Sequence, residues 1–166
     1  LNGYNIHNST LRKEIGQAPT LLVFLRHFGC IFCRELVKDL KRMSTAQPQY
    51  PPIIFFYQGT AAEGEAFFDN IWPEARAIDD VPKVYYDALG IERGGMKAMF
   101  GPEVWACGVR AAMKGNFIGW KTGDPWTMPG MFLVDGDRII WQHDFRHAGD
   151  HPDLTQIPQV AEASLQ

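Results

Sequence analysis

Cysteine is scarce in this chain: three residues, Cys30, Cys33 and Cys107, among 166. So small and odd a number excludes the disulfide framework of a compact secreted scaffold. It fits a reducing compartment, and the cytoplasm is the expected location. An excess of positive charge is also missing. With 16 Lys and Arg against 19 Asp and Glu, and no cluster of cations, the chain offers no surface to nucleic acid or to an anionic membrane. No apolar run approaches the ~20 residues needed to cross a bilayer, because Arg26 ends the best candidate. There is no internal repeat and no low-complexity tract, and although the chain begins at Leu1 rather than Met, no stretch reads as a leader. What remains is 46% hydrophobic and 13% aromatic, which excludes a disordered chain, and the length suits one compact domain over residues 1–166.

The most informative stretch runs from Thr20 to Arg42. Leu21 to Leu25 is a short apolar run rich in branched and aromatic side chains, which predicts a strand buried on both faces. From Cys33 the apolar positions are Leu36, Val37 and Leu40, the spacing of one helix face. Cys30 and Cys33 sit at the join. A cysteine at a helix N-terminus meets unpaired backbone N–H groups and the positive end of the helix dipole, both of which favour thiolate. Cys30 is therefore the candidate nucleophile. Cys33, one turn further in and aligned with the buried stripe, has the position of a resolving thiol that attacks a sulfur adduct on Cys30.

Around this stretch the order of elements is readable. Ser9-Thr10 caps a short turn over Leu11 to Ile15, and Gly16-Gln17-Ala18-Pro19 separates it from the first core strand. The helix after Cys30 is expected to end near Met43. A second core strand is predicted over Ile53–Tyr57, a helix from about Ala61 to Ile71, an edge strand over Ala75–Ile78, and a helix through Val84, Tyr85 and Leu89. Alternating β and α in this way predicts right-handed crossovers and a partly parallel sheet. Pro102 starts a helix carrying Val104, Cys107, Val109 and Met113, with Cys107 read as a buried small apolar residue. A Gly- and aromatic-rich loop follows from Gly115 to Met128, with Phe117, Trp120 and Trp126 either walling an apolar substrate site or packing over the core. Asp135-Gly136-Asp137 between Met131–Val134 and Arg138–Trp141 is a hairpin signal. A final helix is expected over Val160–Leu165, with a start or restart at Pro158.

A C-x-x-C between strand and helix, a further β-α unit, a proline directly before an antiparallel hairpin and a closing helix together resemble the thioredoxin fold. This is an α/β architecture with a central mixed sheet flanked by helices, here with a helical and loop insertion before the hairpin. The resemblance implies that Pro129 is the cis-proline lying beside the active sulfurs. More closely, Arg26-His-Phe-Gly-Cys-Ile-Phe-Cys-Arg-Glu35, with Pro129-Gly130-Met-Phe-Leu-Val, His143 and Gly149-Asp150 later on, resembles the peroxiredoxin-like 2 group of the alkyl hydroperoxide reductase and thiol-specific antioxidant superfamily. It implies a redox protein with Cys30 and Cys33 as its working pair. Its substrate would be a peroxide or disulfide, its reductant an external thiol system such as thioredoxin or glutathione, and it would need no metal or organic cofactor. One departure stands out. Typical peroxiredoxins carry P-x-x-x-T-x-x-C before the peroxidatic cysteine, and the residues from Leu25 to Gly29 include neither that Pro nor that Thr. The departure removes groups that shape a peroxide pocket and leaves thiol–disulfide exchange untouched.

Other readings of the same residues stand beside this one. Cys30 and Cys33 make a metal pair if His27 and Cys107 complete a zinc tetrad. Arg26, His27 and Arg34 flank the motif, where positive charge lowers a thiol pKa, or else they are solvated surface. His143 reads as a strand-end histidine and Asp150-Pro152 as a helix cap. A lipid endoperoxide is the alternative substrate, and a non-catalytic metal-binding or redox-sensing module is the alternative class.

Overall fold

The computed structural model describes residues 1–119 and 122–164. Trp120 of the aromatic loop and Leu165 of the closing helix lie outside the described residues. The strands are β1 (Gly3–Tyr4), β2 (Thr20–Phe24), β3 (Ile53–Tyr57), β4 (Arg76–Asp79), β5 (Gly130–Asp135) and β6 (Arg138–His143). The helices are α1 (Leu11–Ile15), α2 (Ile31–Ala46), α3 (Ala61–Ile71), α4 (Val84–Ala88), α5 (Met96–Phe100), α6 (Pro102–Met113) and α7 (Ile157–Ala163), the last entered through a 3-10 turn at Leu154–Gln156. The sheet order is β1-β4-β3-β2-β5-β6, with β2, β3 and β4 parallel and β1, β5 and β6 antiparallel to their neighbours. This is the mixed, helix-flanked sheet expected of a thioredoxin-like fold.

Strand periodicity sorts the core into two layers. Leu21, Val23, Phe55, Tyr57, Met131 and Leu133 point to the face covered by α2, α3 and α7. Leu22, Phe24, Ile54, Phe56, Phe132 and Val134 point to the other, where Tyr86 and Ile91 close over them. Phe24 and Phe56 stack there at 4.3 Å between ring centroids, and each such buried side chain contributes roughly 1.5–3 kcal/mol. Local caps agree with the sequence: Thr10 accepts from Lys13 N at the start of α1, and Thr60 with Glu63 forms a capping box on α3.

Several expectations need correcting. Helix α2 runs on to Ala46, three residues past Met43. Strand β4 is not an edge, because Gly3 and Tyr4 pair with Ile78 and Ala77 and supply an outer strand that two residues of sequence did not signal. The insertion holds a further helix, α5. On α6 Cys107, expected to be buried, is half-buried: Val104 and Ala111 are buried, while Val109 and Met113 face water. Among the described residues every peptide bond is trans, Met128–Pro129 included. Thr127 bridges to Arg93 and Met128 N donates to the Glu92 carbonyl, so the chain enters β5 extended, as the residue before a proline prefers, with the peptide in its ordinary isomer. Among the described residues no helix is long and apolar enough to cross a membrane.

Candidate active site

Strand β2 hands its last pairing to Leu25, whose N–H donates to the Phe56 carbonyl at 2.9 Å. The chain then turns through Arg26–Gly29, closed by Cys30 N donating to the His27 carbonyl at 3.0 Å, and Cys30 becomes the N-cap of α2. Cys33 follows in the first turn on the helix face that carries Leu36, Val37 and Leu40 into the core. Both thiols are buried and neither is in a disulfide. The Arg26 backbone N–H lies 3.3 Å from Cys33 Sγ and the Arg26 guanidinium Nη1 3.4 Å from Cys30 Sγ.

The two sulfurs are driven apart in acidity. The Cys33 thiol donates to Cys30 and so pulls the Cys30 pKa down, against burial; the Arg26 charge and the N–H groups of Cys33 and Phe32 act in the same direction. Burial pushes the Cys33 pKa up, and its hydrogen bond and proximity to Cys30 push it further. The arrangement favours ionisation of Cys30 over Cys33, the asymmetry that an attacking and a resolving sulfur would need.

Arg26 adds its charge to the hydrogen bond from Cys33. Its side chain is buried and fixed by three contacts besides the sulfur: Nε donates to Thr127 O at 3.1 Å, Nη2 donates to Pro125 O at 2.7 Å, and Nη2 lies 2.8 Å from Met99 Sδ. Among the described residues no carboxylate lies within ion-pair distance of it. A buried cation of this kind needs a negative partner, and the Cys30 sulfur is the acid beside it. Gln58 locks the turn by donating from Nε2 to Arg26 O at 3.0 Å and accepting from Asp124 N at 3.2 Å. Gly123, at φ +63°, runs so close to Gln58 that a Cβ there would lie 2.4 Å from the Gln58 Cβ. Gln58, Met99 and Thr127 carried no sequence signal as site residues, because their roles arise from contacts made at long range.

Cys30 faces a groove of about 260 Å³ whose walls include Phe32, Met99, Phe100, Ile118, Pro125 and Trp126. The aromatic loop thus does line a space at the sulfur, through Trp126, while Phe117 points to water. Arg34 meets the turn's backbone instead of a sulfur: its Nε donates to Phe28 O at 3.0 Å and its guanidinium lies 5.3 Å from the Phe67 ring centroid. Pro129 lines, with Cys33 and Phe32, a small gap behind the helix start. His143 sits 3.4 Å from the Asp150 carboxylate and edge-on to Phe145. A larger concavity of about 740 Å³ lies under the other sheet layer, between α1, α4 and the hairpin, and holds neither sulfur.

The zinc alternative does not assemble. Among the described residues His27 and Cys107 do not join Cys30 and Cys33 in a group of ligand atoms; the one cluster of suitable donors is Glu35, Asp39 and His151. Those carboxylates are already engaged. Arg110 grips Glu35 with two bonds of 2.9 and 2.8 Å, Lys114 reaches Glu35 at 3.0 Å and Asp39 at 2.8 Å, and His151 Nε2 is 3.0 Å from Asp39. Burial pushes the Glu35 pKa up, but the hydrogen bonds from Arg110 and Lys114 outweigh it and hold the carboxyl below its ordinary range. The cluster is an ion-pair clasp between α2 and α6. Its signal was present in the sequence as matched i,i+4 spacings, Glu35/Asp39 and Arg110/Lys114.

A mixed sheet in this order, with two thiols at the start of α2 and a proline leading into the closing hairpin, is the arrangement of the thioredoxin-like superfamily. The chain belongs to the AhpC/TSA antioxidant enzyme family, whose profile matches residues 35–147, more than half of it. That match starts after Cys33, so it leaves the cysteine pair to the geometry. The chain is 26% identical over 176 residues to the prostamide/prostaglandin F synthase of Xenopus laevis, covering 96% of this chain and 81% of that protein. It is 25% identical over 158 residues to human peroxiredoxin-like 2C, covering 84% of this chain and 67% of that one. The crystal structure of peroxidoxin BcpB from Mycobacterium tuberculosis superposes with a TM-score of 0.56 at 12% identity, covering 92% of this chain and 84% of that chain, and so shares the fold.

Proposed function

We propose that this protein is a thiol-dependent oxidoreductase that reduces a peroxide or a disulfide with Cys30 and Cys33. The observation that carries the reading is the buried Arg26 guanidinium beside Cys30 Sγ with, among the described residues, no carboxylate in ion-pair distance to neutralise it. The Cys30 thiolate attacks one oxygen of a hydroperoxide; the O–O bond breaks, Cys30 becomes a sulfenic acid, and the alkoxide takes a proton to leave as an alcohol. The Cys33 thiol then attacks the sulfenic sulfur. A Cys30–Cys33 bond forms and the hydroxyl leaves with the Cys33 proton as water. With a disulfide substrate, the first attack breaks the substrate S–S bond, releasing one half as a thiolate that takes up a proton and leaving the other half as a mixed disulfide on Cys30. Attack by Cys33 then forms the Cys30–Cys33 bond and releases that second half as thiol. An external thiol reductant, of the thioredoxin or glutathione kind, restores both cysteines at the cost of its own oxidation.

His27 stands three residues before Cys30, where the P-x-x-x-T-x-x-C pattern has threonine, so the hydroxyl of that pattern is not available to hold a peroxide. Arg26 supplies positive charge in its place. The apolar groove favours one refinement of the substrate. Four relatives are named prostamide/prostaglandin F synthase, and an apolar endoperoxide fits walls of Met99, Phe100, Ile118 and Trp126 better than a small polar peroxide does.

The test is turnover of peroxide, of disulfide and of an apolar endoperoxide, with a regenerating thiol system, in wild type, Cys30→Ser and Cys33→Ser, with metal content assayed alongside. Wild type should cycle through a Cys30–Cys33 disulfide seen by mass spectrometry, Cys30→Ser should be inactive, and Cys33→Ser should stop at an adduct on Cys30. Full activity in Cys30→Ser would overturn the reading. So would stoichiometric zinc that disappears with either substitution, in a protein without turnover.

A further inference from the structure

Helix α6 is amphipathic in the wrong sense for a lone molecule. Its inner side carries Val104, Ala111 and the Arg110 arm of the ion-pair clasp. At 100° per residue the exposed Pro102, Trp105, Ala106, Val109, Ala112 and Met113 form one apolar stripe, with the exposed Glu103 at its flank rather than on it. The exposures are 73% for Trp105, 61% for Val109 and 84% for Met113, and the turn that follows adds Phe117 at 72% and Ile118 at 81%. With an aromatic side chain offering on the order of 200 Å², these five leave roughly 700 Å² of apolar surface in water, above the ~300–600 Å² of the largest patch on a typical monomer. That is close to the ~800 Å² that one partner gives to a stable interface.

We propose that this face of α6 is the interface of a homodimer, with two copies related by a two-fold axis that passes close to Val109. A two-fold makes the same patch meet itself, so residues equally spaced about the axis exchange partners. Trp105 and Met113 lie four residues to either side of Val109. Trp105 of each copy therefore meets Met113 of the other, a sulfur–aromatic pairing, while Ala106 and Ala112 let the two helices approach. The stripe itself carries no charge and its exposed neighbour on the helix is the acidic Glu103, so it has nothing to attract an anionic bilayer and nothing along its centre to repel an identical helix. The proposal stands independently of the redox chemistry, though it touches it: Ile118 belongs both to the patch and to the wall of the Cys30 groove, so pairing places the second copy at the groove's rim.

The test is sedimentation of the full reduced chain from low to high micromolar concentration, for wild type, Val109→Glu and Met113→Glu. Both substituted side chains are largely in water, so neither variant loses core packing, and thermal melts with the alkylation rate of Cys30 check that each is folded. Wild type should sediment at twice the 18.8 kDa chain mass. Each variant should be monomeric, with dissociation constants raised at least about tenfold, and the wild-type tryptophan emission should shift to the red in both. A wild type that stays monomeric would overturn the proposal, as would a dimer that neither substitution weakens. A monomer that instead partitions onto neutral phosphatidylcholine vesicles through this face would also overturn it, in favour of a lipid surface.

Discussion

Two arginines place a guanidinium nitrogen 3.4 Å from a cysteine sulfur: Arg26 beside Cys30 and Arg110 beside Cys107. They differ in what else they touch. Arg110 holds the buried Glu35 carboxylate with two hydrogen bonds, so its charge is met before the sulfur is considered. Arg26 touches two carbonyls and a thioether, none of which carries a charge. An arginine near a cysteine is therefore not enough to mark a reactive thiol. What matters is whether the positive charge already has a partner, because a buried cation without one stabilises whatever neighbour can ionise. On this comparison the first pair is the one suited to the proposed chemistry and the second the one suited to holding helices together.

Removing the sulfur of the first pair should have the largest effect. Cys30→Ser should lower peroxide- or disulfide-dependent turnover by at least about a thousandfold, as loss of a nucleophile does, while Cys107→Ser should leave it within about twofold. Arg26→Ala should come next. Losing one adjacent charge moves a pKa by about 1–3 units, so the Cys30 alkylation rate at neutral pH should fall by roughly tenfold or more, with Arg26→Lys recovering part of the loss. If Arg26→Ala left that rate unchanged, the contrast between the two arginines would have no chemical meaning.

The second pair should answer in stability instead. Arg110→Ala leaves Glu35 buried with Lys114 as its remaining cation, and the urea midpoint should report a loss of about 3 kcal/mol with the Cys30 alkylation rate preserved. The same clasp sets an acid limit. The folded Glu35 and Asp39 pKa values lie below their unfolded ones, so their stabilisation is complete above the unfolded carboxylate range near pH 4 and is lost as pH falls through the folded values. Melting temperature should drop on acidification, and Glu35→Gln should flatten part of that drop. A variant with the full wild-type acid dependence would show that the clasp contributes little.

The contrast also explains what could be read from the sequence. Cys30 and Cys33 at a strand-to-helix join were visible because each signal is local: an apolar run, a change of period and two thiols three residues apart. Strand β3, helix α3 and the hairpin were legible for the same reason. Arg26 was visible as a flanking cation, but its isolation from carboxylates was not, since its carbonyl partners at Pro125 and Thr127 lie 99 and 101 residues away. The placement of α6 failed on a different ground. Cys107 was expected to be buried beside Val104 and Met113, and a pattern of hydrophobicity cannot distinguish a core face from an exposed one. The ion-pair clasp was overlooked although its two i,i+4 charge pairs were in the sequence, because charges on a helix ordinarily mean water. Pro129 occupies the expected place before β5 with a trans bond, an isomer set by surroundings rather than by residue type.

The most direct test of Arg26 as the partner of a Cys30 thiolate is the pH dependence of Cys30 alkylation, followed peptide by peptide by mass spectrometry in wild type and Arg26→Ala. The wild-type midpoint should lie below the ~8.5 of an ordinary thiol and move upward when Arg26 is removed. A midpoint at or above the ordinary value, or one that does not move with Arg26, would contradict that partnership.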